Sequence, residues 1–294
     1  MPLKQARFTL LDAVLILGII AFGFFFVWRV HATLDYQWRW HLLANYLLRY
    51  DEGAESWVPG LVTQGLLTTI RLSFWTMLLA TVIGVVMGLA RCSRSLFFRM
   101  IGWTYVEIVR NIPPLVLIFI FYFFLADQLM TMLRVDVLLR NLPDWAKDLL
   151  PWVAVPVDRM PNFLAALLTL AVYEGAYITE HVRSGIQSIE RGQREAAYAL
   201  GLSSWQQMRH VIFPQALSRI VPPLAGQFIA TIKDTAIVSV ISVQELTFQG
   251  LELMASTYMT FEIMITITVL YLVLTLTFSA AARKVERRMR RAYA

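Results

Sequence analysis

Apolar windows of about twenty residues, enough to cross a hydrocarbon core of about 30 Å, recur near 11–29, 66–90, 98–125, 161–183, 222–243 and 262–282. Backbone polar groups in lipid must be satisfied within the chain, so each window predicts a membrane-spanning helix, and the fold class is an all-α, polytopic membrane helical bundle. The run from Leu10 to Val27 is long and Val30-His31-Ala32-Thr33 is a poor cleavage site, so the first window predicts a retained span, not a signal peptide. Between the fourth and fifth windows the pattern changes to a polar stretch of about thirty residues with its own helix signals. Gly192 to Leu200 is dominated by strong helix formers, and Gly201 is the residue type that best takes the left-handed conformation just past a helix end. Ser203-Ser204-Trp205-Gln206 then matches a capping box, predicting a second helix that runs to about Phe213, where Pro214 ends or bends it. This stretch is either a rigid docking knob that passes displacement into spans four and five, or an interfacial hairpin that only anchors them.

Composition supports the membrane class: of 294 residues 58% are hydrophobic and 16% charged, too apolar for an ordinary soluble domain. Charge orients the bundle. Lys4 and Arg7, then Arg91, Arg94 and Arg99, then Arg183, Arg191, Arg194, Arg209 and Arg219, and finally Arg283 to Arg291 all fall on one side. The loops at 30–65, 126–160 and 244–261 mix both signs, so the basic side and both termini are expected in the cytoplasm. The net charge of +6 is concentrated in Arg283, Lys284, Arg287, Arg288, Arg290 and Arg291 beside the last span, which suits anionic lipid better than nucleic acid. Cys92 is the single cysteine, which excludes an internal disulfide and a cysteine metal cluster. The sequence holds no Gly-x-x-x-x-Gly-Lys-Ser/Thr stretch to cradle nucleotide phosphates, and His31, His41, His181 and His210 have no metal-ligand spacing. No catalytic site is expected, and Glu180-His181 is the one local acid and base pair an intramembrane enzyme could use.

Ionisable residues at membrane depth are costly and point to function. Counted from the inner ends of their helices, Glu174 lies roughly 13 Å deep, Lys233 roughly 16 Å and Asp234 roughly 18 Å. These charges either line a cavity and meet the ammonium or carboxylate of a substrate, or tie spans four and five together, with Glu174 and Lys233 the expected ion pair. Tyr173, Tyr177 and Thr235 are further pathway candidates. Gly84 and Gly88 share a helix face and predict close approach by a neighbour. Pro113-Pro114 should kink or break the third span, with Glu107 and Arg110 pairing on the same helix. Trp38, Trp40 and Trp57 suit an outer interfacial belt, and the 126–160 loop, with Trp145 and Trp152, could lid the outer mouth.

The polar stretch resembles the coupling loop of ATP-binding-cassette importer permeases: Glu-Ala-Ala, three residues, Gly, nine residues, Ile, one residue, Leu-Pro. Glu195-Ala196-Ala197, Gly201 and Pro214 match in place, and Val211 and Phe213 are apolar substitutions for the Ile and Leu. Gly175-Ala176-Tyr177-Ile178-Thr179-Glu180, Arg183 to Ile189, Arg110-Asn111-Ile112-Pro113-Pro114-Leu115 and Lys233-Asp234-Thr235 resemble the polar amino-acid branch of that family. The resemblance runs from about residue 62 to the end. It implies a type I importer permease core of five spans over 61–294, with the coupling loop at about 190–215, preceded over 1–60 by one extra span and an outer loop. It further implies alternating access in a bacterial inner membrane, a second permease subunit, a cytoplasmic ATPase dimer holding ATP and Mg, and an extracytoplasmic solute-binding protein. Glu195, Ala196, Ala197, Gly201, Trp205 and Pro214 would then carry coupling. An ion-coupled secondary transporter or channel, working without an ATPase, is the alternative, and it leaves the cytoplasmic stretch unexplained.

Overall fold

The computed structural model describes residues 9–33, 36–53 and 55–292. Lys4, Arg7 and Asp35 lie outside them, as do the side chains of His31, Arg288, Arg290 and Arg291. The chain divides into two compact units, Met1–His41 and Leu42–Ala294. In the first, α1 (Leu10–Thr33) starts at a reciprocal cap: the Thr9 amide donates to Asp12 Oδ2 at 2.8 Å and the Asp12 amide to Thr9 Oγ1 at 3.3 Å. After α2 (Trp40–Leu47), the chain departs from the all-α expectation with an antiparallel hairpin, β1 (Leu48–Asp51) and β2 (Ser56–Pro59), in register from Leu48 opposite Pro59 to Asp51 opposite Ser56. Tyr50 and Trp57 pair edge to face across it at 5.5 Å, the kind of aromatic contact that stabilises a short ladder. The Gly60 amide and the Thr63 hydroxyl both donate to the Leu47 carbonyl, fixing the entry to the next helix.

That helix, α3 (Leu61–Arg91), packs along most of its length against α9 (Met160–Gln187). A Cβ added at Gly84 would run into Ile178, and one at Gly88 into Val182, so the paired glycines do permit close approach. The window expected to give one span over 98–125 is split instead. Helix α4 (Leu96–Asn111) stops before Pro113, and Pro114 opens α5 (Pro114–Ile120), because neither proline has an N–H to continue the ladder. The chain runs on through a wide turn over Phe121–Ala126 into α6 (Asp127–Met132), then α7 (Val135–Arg140) and α8 (Asp144–Val153). Arg71 and Trp75 of α3 hold the end of this segment, donating to the carbonyls of Ala154 at 3.1 Å and Val153 at 3.0 Å.

After α9 come α10 (Arg191–Ala199) and α11 (Ser204–Gln206). Of the two outcomes expected at Pro214, ending or bending the second polar helix, the first does not occur: helical backbone continues from Ser204 through wide turns at Gln207–Ile212 into α12 (Phe213–Asp234). Pro214 falls in the first turn of α12, and the locally unwound turn before it gives its ring room. A tight helical stretch, Thr235–Ile241, leads to Ser242 at φ 60, then α13 (Leu246–Thr257) and α14 (Thr260–Ala292). Among the described residues five helical stretches are long and apolar enough to cross a membrane: Leu61–Arg91, Pro114–Met132, Val157–Gln187, Ser204–Ile241 and Thr260–Lys284. In α1 the apolar stretch, Leu10–Phe25, is shorter than these.

Candidate functional site

Two sites lie on the α9–α12 path. The first is the polar knob. The Leu202 amide donates to the Ala197 carbonyl at 3.2 Å and the Gly201 amide to Tyr198 at 2.9 Å, closing α10 with Gly201 at φ 75. That conformation strains any residue with a Cβ. Two residues on, the Gln206 amide donates to Ser203 Oγ at 3.3 Å and the Ser203 amide to Gln206 Oε1 at 2.9 Å, so the capping box is complete. Ala197 is buried beneath the turn, whereas Glu195, Ala196 and Gly201 are exposed. Tyr198, Leu200 and Trp205 are 75%, 80% and 67% exposed, large apolar surfaces on an otherwise polar segment. The knob is tied to the bundle: Arg194 donates to the Ile186 carbonyl at 3.1 Å, Arg219 to that of Ser188, and Gln215 to Gln193 Oε1 at 3.1 Å. Just beyond α3, burial pushes the Cys92 thiol pKa up even though Arg194, Arg183 and Arg91 pull the other way, which marks this end of the bundle as electropositive.

The second site is a buried polar core between α4, α9 and α12. Glu174 is fully buried; its Oε2 accepts from Gln227 Nε2, and its Oε1 accepts no hydrogen bond. Thr231 and Asp234 stand beside it. The expected ion pair between Glu174 and Lys233 does not form: Lys233 is exposed, and the groups that face Glu174 across the helix packing are an amide and a second acid. Consecutive residues on a helix point about 100° apart, so only one of Lys233 and Asp234 can face α9. Tyr173 and Tyr177 line the same wall, rings edge to face at 5.2 Å and hydroxyls 3.3 Å apart. Thr235 spends its hydroxyl on the Ile232 carbonyl at 2.8 Å, inside its own helix. Tyr173, Glu174, Tyr177 and Asp234 are therefore brought together, while Lys233 and Thr235 point elsewhere.

Gln227 and Thr231 escaped the sequence reading although they precede Asp234 at helical spacing, a polar stripe on an apolar helix. His181 reaches Gln227 Oε1 at 3.2 Å, so it turns away from Glu180. Glu180 is engaged by Arg91 and by Arg183, at 2.8 Å from Arg183 Nη2, which leaves no acid and base pair there. Glu107 and Arg110 do not pair either: Glu107 Oε2 accepts from Asn111 at 3.1 Å, and the Arg110 guanidinium sits 5.1 Å from the Tyr177 ring centroid. At the end of the bundle away from the knob, a cavity of about 300 Å³ is lined by Thr68, Asp158, Arg159, Asn162, Ser242 and Gln244 with three apolar side chains.

Residues 80–291 match the family described as the binding-protein-dependent transport system inner membrane component, a stretch that takes in both sites. The chain belongs to that family. Among similar proteins, the glutamine transport system permease protein GlnP of Escherichia coli (strain K12) is 36% identical over 230 residues, covering 78% of this chain and 93% of the relative. The probable glutamine ABC transporter permease protein GlnM of Bacillus subtilis (strain 168) is 32% identical over 212 residues, covering 72% and 85%. Among solved structures, one chain of an amino acid ABC transporter crystallised with histidines superposes at a TM-score of 0.63 with 33% identity, covering 78% of this chain and 94% of that one. This permease is thus a multi-pass inner-membrane component of an ABC importer, served by a binding protein, and ATP hydrolysis falls to a separate chain.

Proposed function

We propose that this permease carries a polar amino acid into a bacterial cytoplasm by alternating access, with both termini cytoplasmic. Residues 61–294 form the transport domain, paired with a second permease subunit, and 1–60 supply an added N-terminal span and outer loop. A paired ATPase holding ATP and Mg grips the knob through Glu195, Ala196, Gly201 and the exposed Trp205, with Ala197 and Pro214 setting the knob on α12. The observation that carries this reading is the knob itself: a rigid double-capped turn that displays apolar side chains and continues without a break into a helix bearing the buried polar core. Closure of the ATPase pair would therefore move α12, and with it Asp234 and Gln227, against Glu174 on α9. Two acids and two phenols gathered at one place, Glu174 and Tyr173 buried and Asp234 and Tyr177 half-buried, suit the ammonium of an amino acid, and the glutamine in the names of GlnP and GlnM agrees with that class.

The test is co-purification of the tagged chain from native membranes in mild detergent, wild type against Glu195→Lys. An ATPase retained by the wild type and lost with the variant supports the coupling site. Equal recovery with both chains moves the contact away from the knob. Absence of an ATPase from a wild-type preparation that retains other membrane complexes would leave an ion-coupled transporter or channel in its place.

A further inference from the structure

At the knob end of the bundle, α3, α4 and α9 leave a cavity of about 310 Å³ lined by Arg91, Arg99, Met100, Trp103, Arg183 and Gln187. None of these residues belongs to the polar core or to the coupling surface. Three guanidinium groups border this space; Glu180 contacts two of them, Arg91 and Arg183, and Glu107 acts on Arg91 from farther off, so positive charge is in excess. Glu180 binds Arg91 and receives Arg183 Nε at 3.0 Å and Nη2 at 2.8 Å, so these two side chains are held in place, with Arg183 Nη1 on Gln187 Oε1 at 2.6 Å. Arg99 is exposed, and among the described residues no acid pairs with it. Glu107, farther along α4, is taken up by Asn111 and has Arg110 as a neighbour in sequence.

Apolar side chains line one wall of this cavity, Met100 and Trp103, and continue beside it on the same helix. On α4, Phe97, Phe98, Met100 and Trp103 are each more than half exposed, a surface that belongs against lipid tails in a chain of this class. Positive charge opening beside exposed rings, at the knob end of α3, α4 and α9, matches one kind of ligand in both its parts. A phosphodiester takes charge-assisted hydrogen bonds from guanidinium forks, and its acyl chains lie along the α4 rings. We propose that this cavity is a binding site for the headgroup of an anionic phospholipid of the cytoplasmic leaflet, with Arg99 closing on a phosphate that Arg91 and Arg183 already face. A soluble phosphate shares the headgroup chemistry but gains nothing from Phe97, Phe98 or Trp103. The site lies apart from the basic run that follows the last span, so it offers a defined pocket where that run offers only a diffuse field.

The experiment titrates the purified full-length permease with phosphatidylglycerol, phosphatidylcholine or inorganic phosphate and counts bound molecules by native mass spectrometry. Wild type is compared with Arg99→Glu, Trp103→Ala and the same charge change at the opposite end, Arg49→Glu. Among the described residues Arg99 makes no ion pair that its loss would break, and melting curves check that the variants fold. The expected result is preferential retention of phosphatidylglycerol by wild type and Arg49→Glu, reduced at least about fivefold in Arg99→Glu, the change expected for one basic group at an anionic surface. Trp103→Ala should weaken retention without abolishing the preference for the anionic headgroup. Equal retention by wild type and Arg99→Glu, or of the two lipids, would overturn the site. Saturation by inorganic phosphate with no added affinity from the lipid would make it a phosphate pocket and equally defeat the proposal.

Discussion

Glu174 is the residue on which the proposed pathway turns, because one carboxyl oxygen is held by Gln227 while, among the described residues, the other accepts no hydrogen bond. Glu174→Ala takes the acceptor from the half-buried Gln227 amide, a loss of about 1 kcal/mol for a group that keeps some access to solvent. The expected outcome in radiolabelled uptake is a drop of about tenfold or more, with recovery of the partner ATPase unchanged. Uptake at the wild-type rate would remove Glu174 from the pathway. Gly201 tests the other site: with φ at 75 and open space around it, a substitution is resisted by backbone strain and not by a clash. Gly201→Val should cost about 1–2 kcal/mol locally and lower transport per ATP hydrolysed, whereas Gly201→Asn, which tolerates the left-handed region, should fall between. Uptake and ATPase rates measured on the same vesicles decide it. The glycine could be assigned from its place after a run of helix formers, since the signal is local. The partner of Glu174 could not, because the choice between Lys233 and Asp234 depends on how α12 is rotated against α9.

At the scale of elements, the α3–α9 pair is the spine of the transport unit, and two glycines set its spacing. Gly88→Leu would drive a side chain into Val182 and force the helices apart, at a cost of about 1–3 kcal/mol for an overpacked contact. A lower melting temperature in detergent is expected. The exposed, open Gly192 on α10 is the control, and Gly192→Ala should match the wild type or exceed it. The knob's second helix depends on its cap: Ser203→Ala removes a bond that the Gln206 amide makes, worth about 1 kcal/mol. Amide exchange over 203–212 should quicken while exchange in α9 does not change. The split of α4 from α5 and the unbroken helix from Ser204 show how differently two proline sites act. At Pro113-Pro114 the chain turns out of helix, with Ile112 and Pro113 both extended at ψ 136 and 134, whereas Pro222-Pro223, equally without N–H groups, stay inside α12. Pro214 is single and follows a wide turn, so the helix absorbs it.

Across the whole molecule, Glu245 links three elements at the end away from the knob. It caps α13 by accepting from the amides of Thr247 at 2.9 Å and Phe248 at 2.7 Å, and receives Tyr271 of α14 at 2.9 Å and Thr69 of α3 at 3.4 Å. Burial raises its pKa above the usual 4.5 even though these donors favour the charged form. A raised acid stabilises the fold at low pH, and that contribution is lost as pH rises through the folded value. The melting temperature of wild type minus that of Glu245→Gln should therefore shrink as pH is raised from the ordinary carboxylate range, and a difference that grows would reverse the sign. The sequence by itself determined the membrane class, four of the five core spans, the knob with its two caps, and the family resemblance. The first three rest on composition, 3.6-residue periodicity and local capping chemistry, which act between near neighbours in the chain, and the resemblance rests on the motif residues Glu195-Ala196-Ala197, Gly201 and Pro214. Only the tertiary structure decided that Glu174 meets Gln227 and Asp234, that Arg110 leaves Glu107 for Tyr177, that Glu180 binds Arg91, and that a β-hairpin precedes the first helix of the core. Those outcomes depend on the rotation and depth of helices far apart in sequence, which are set by how their surfaces interlock in packing.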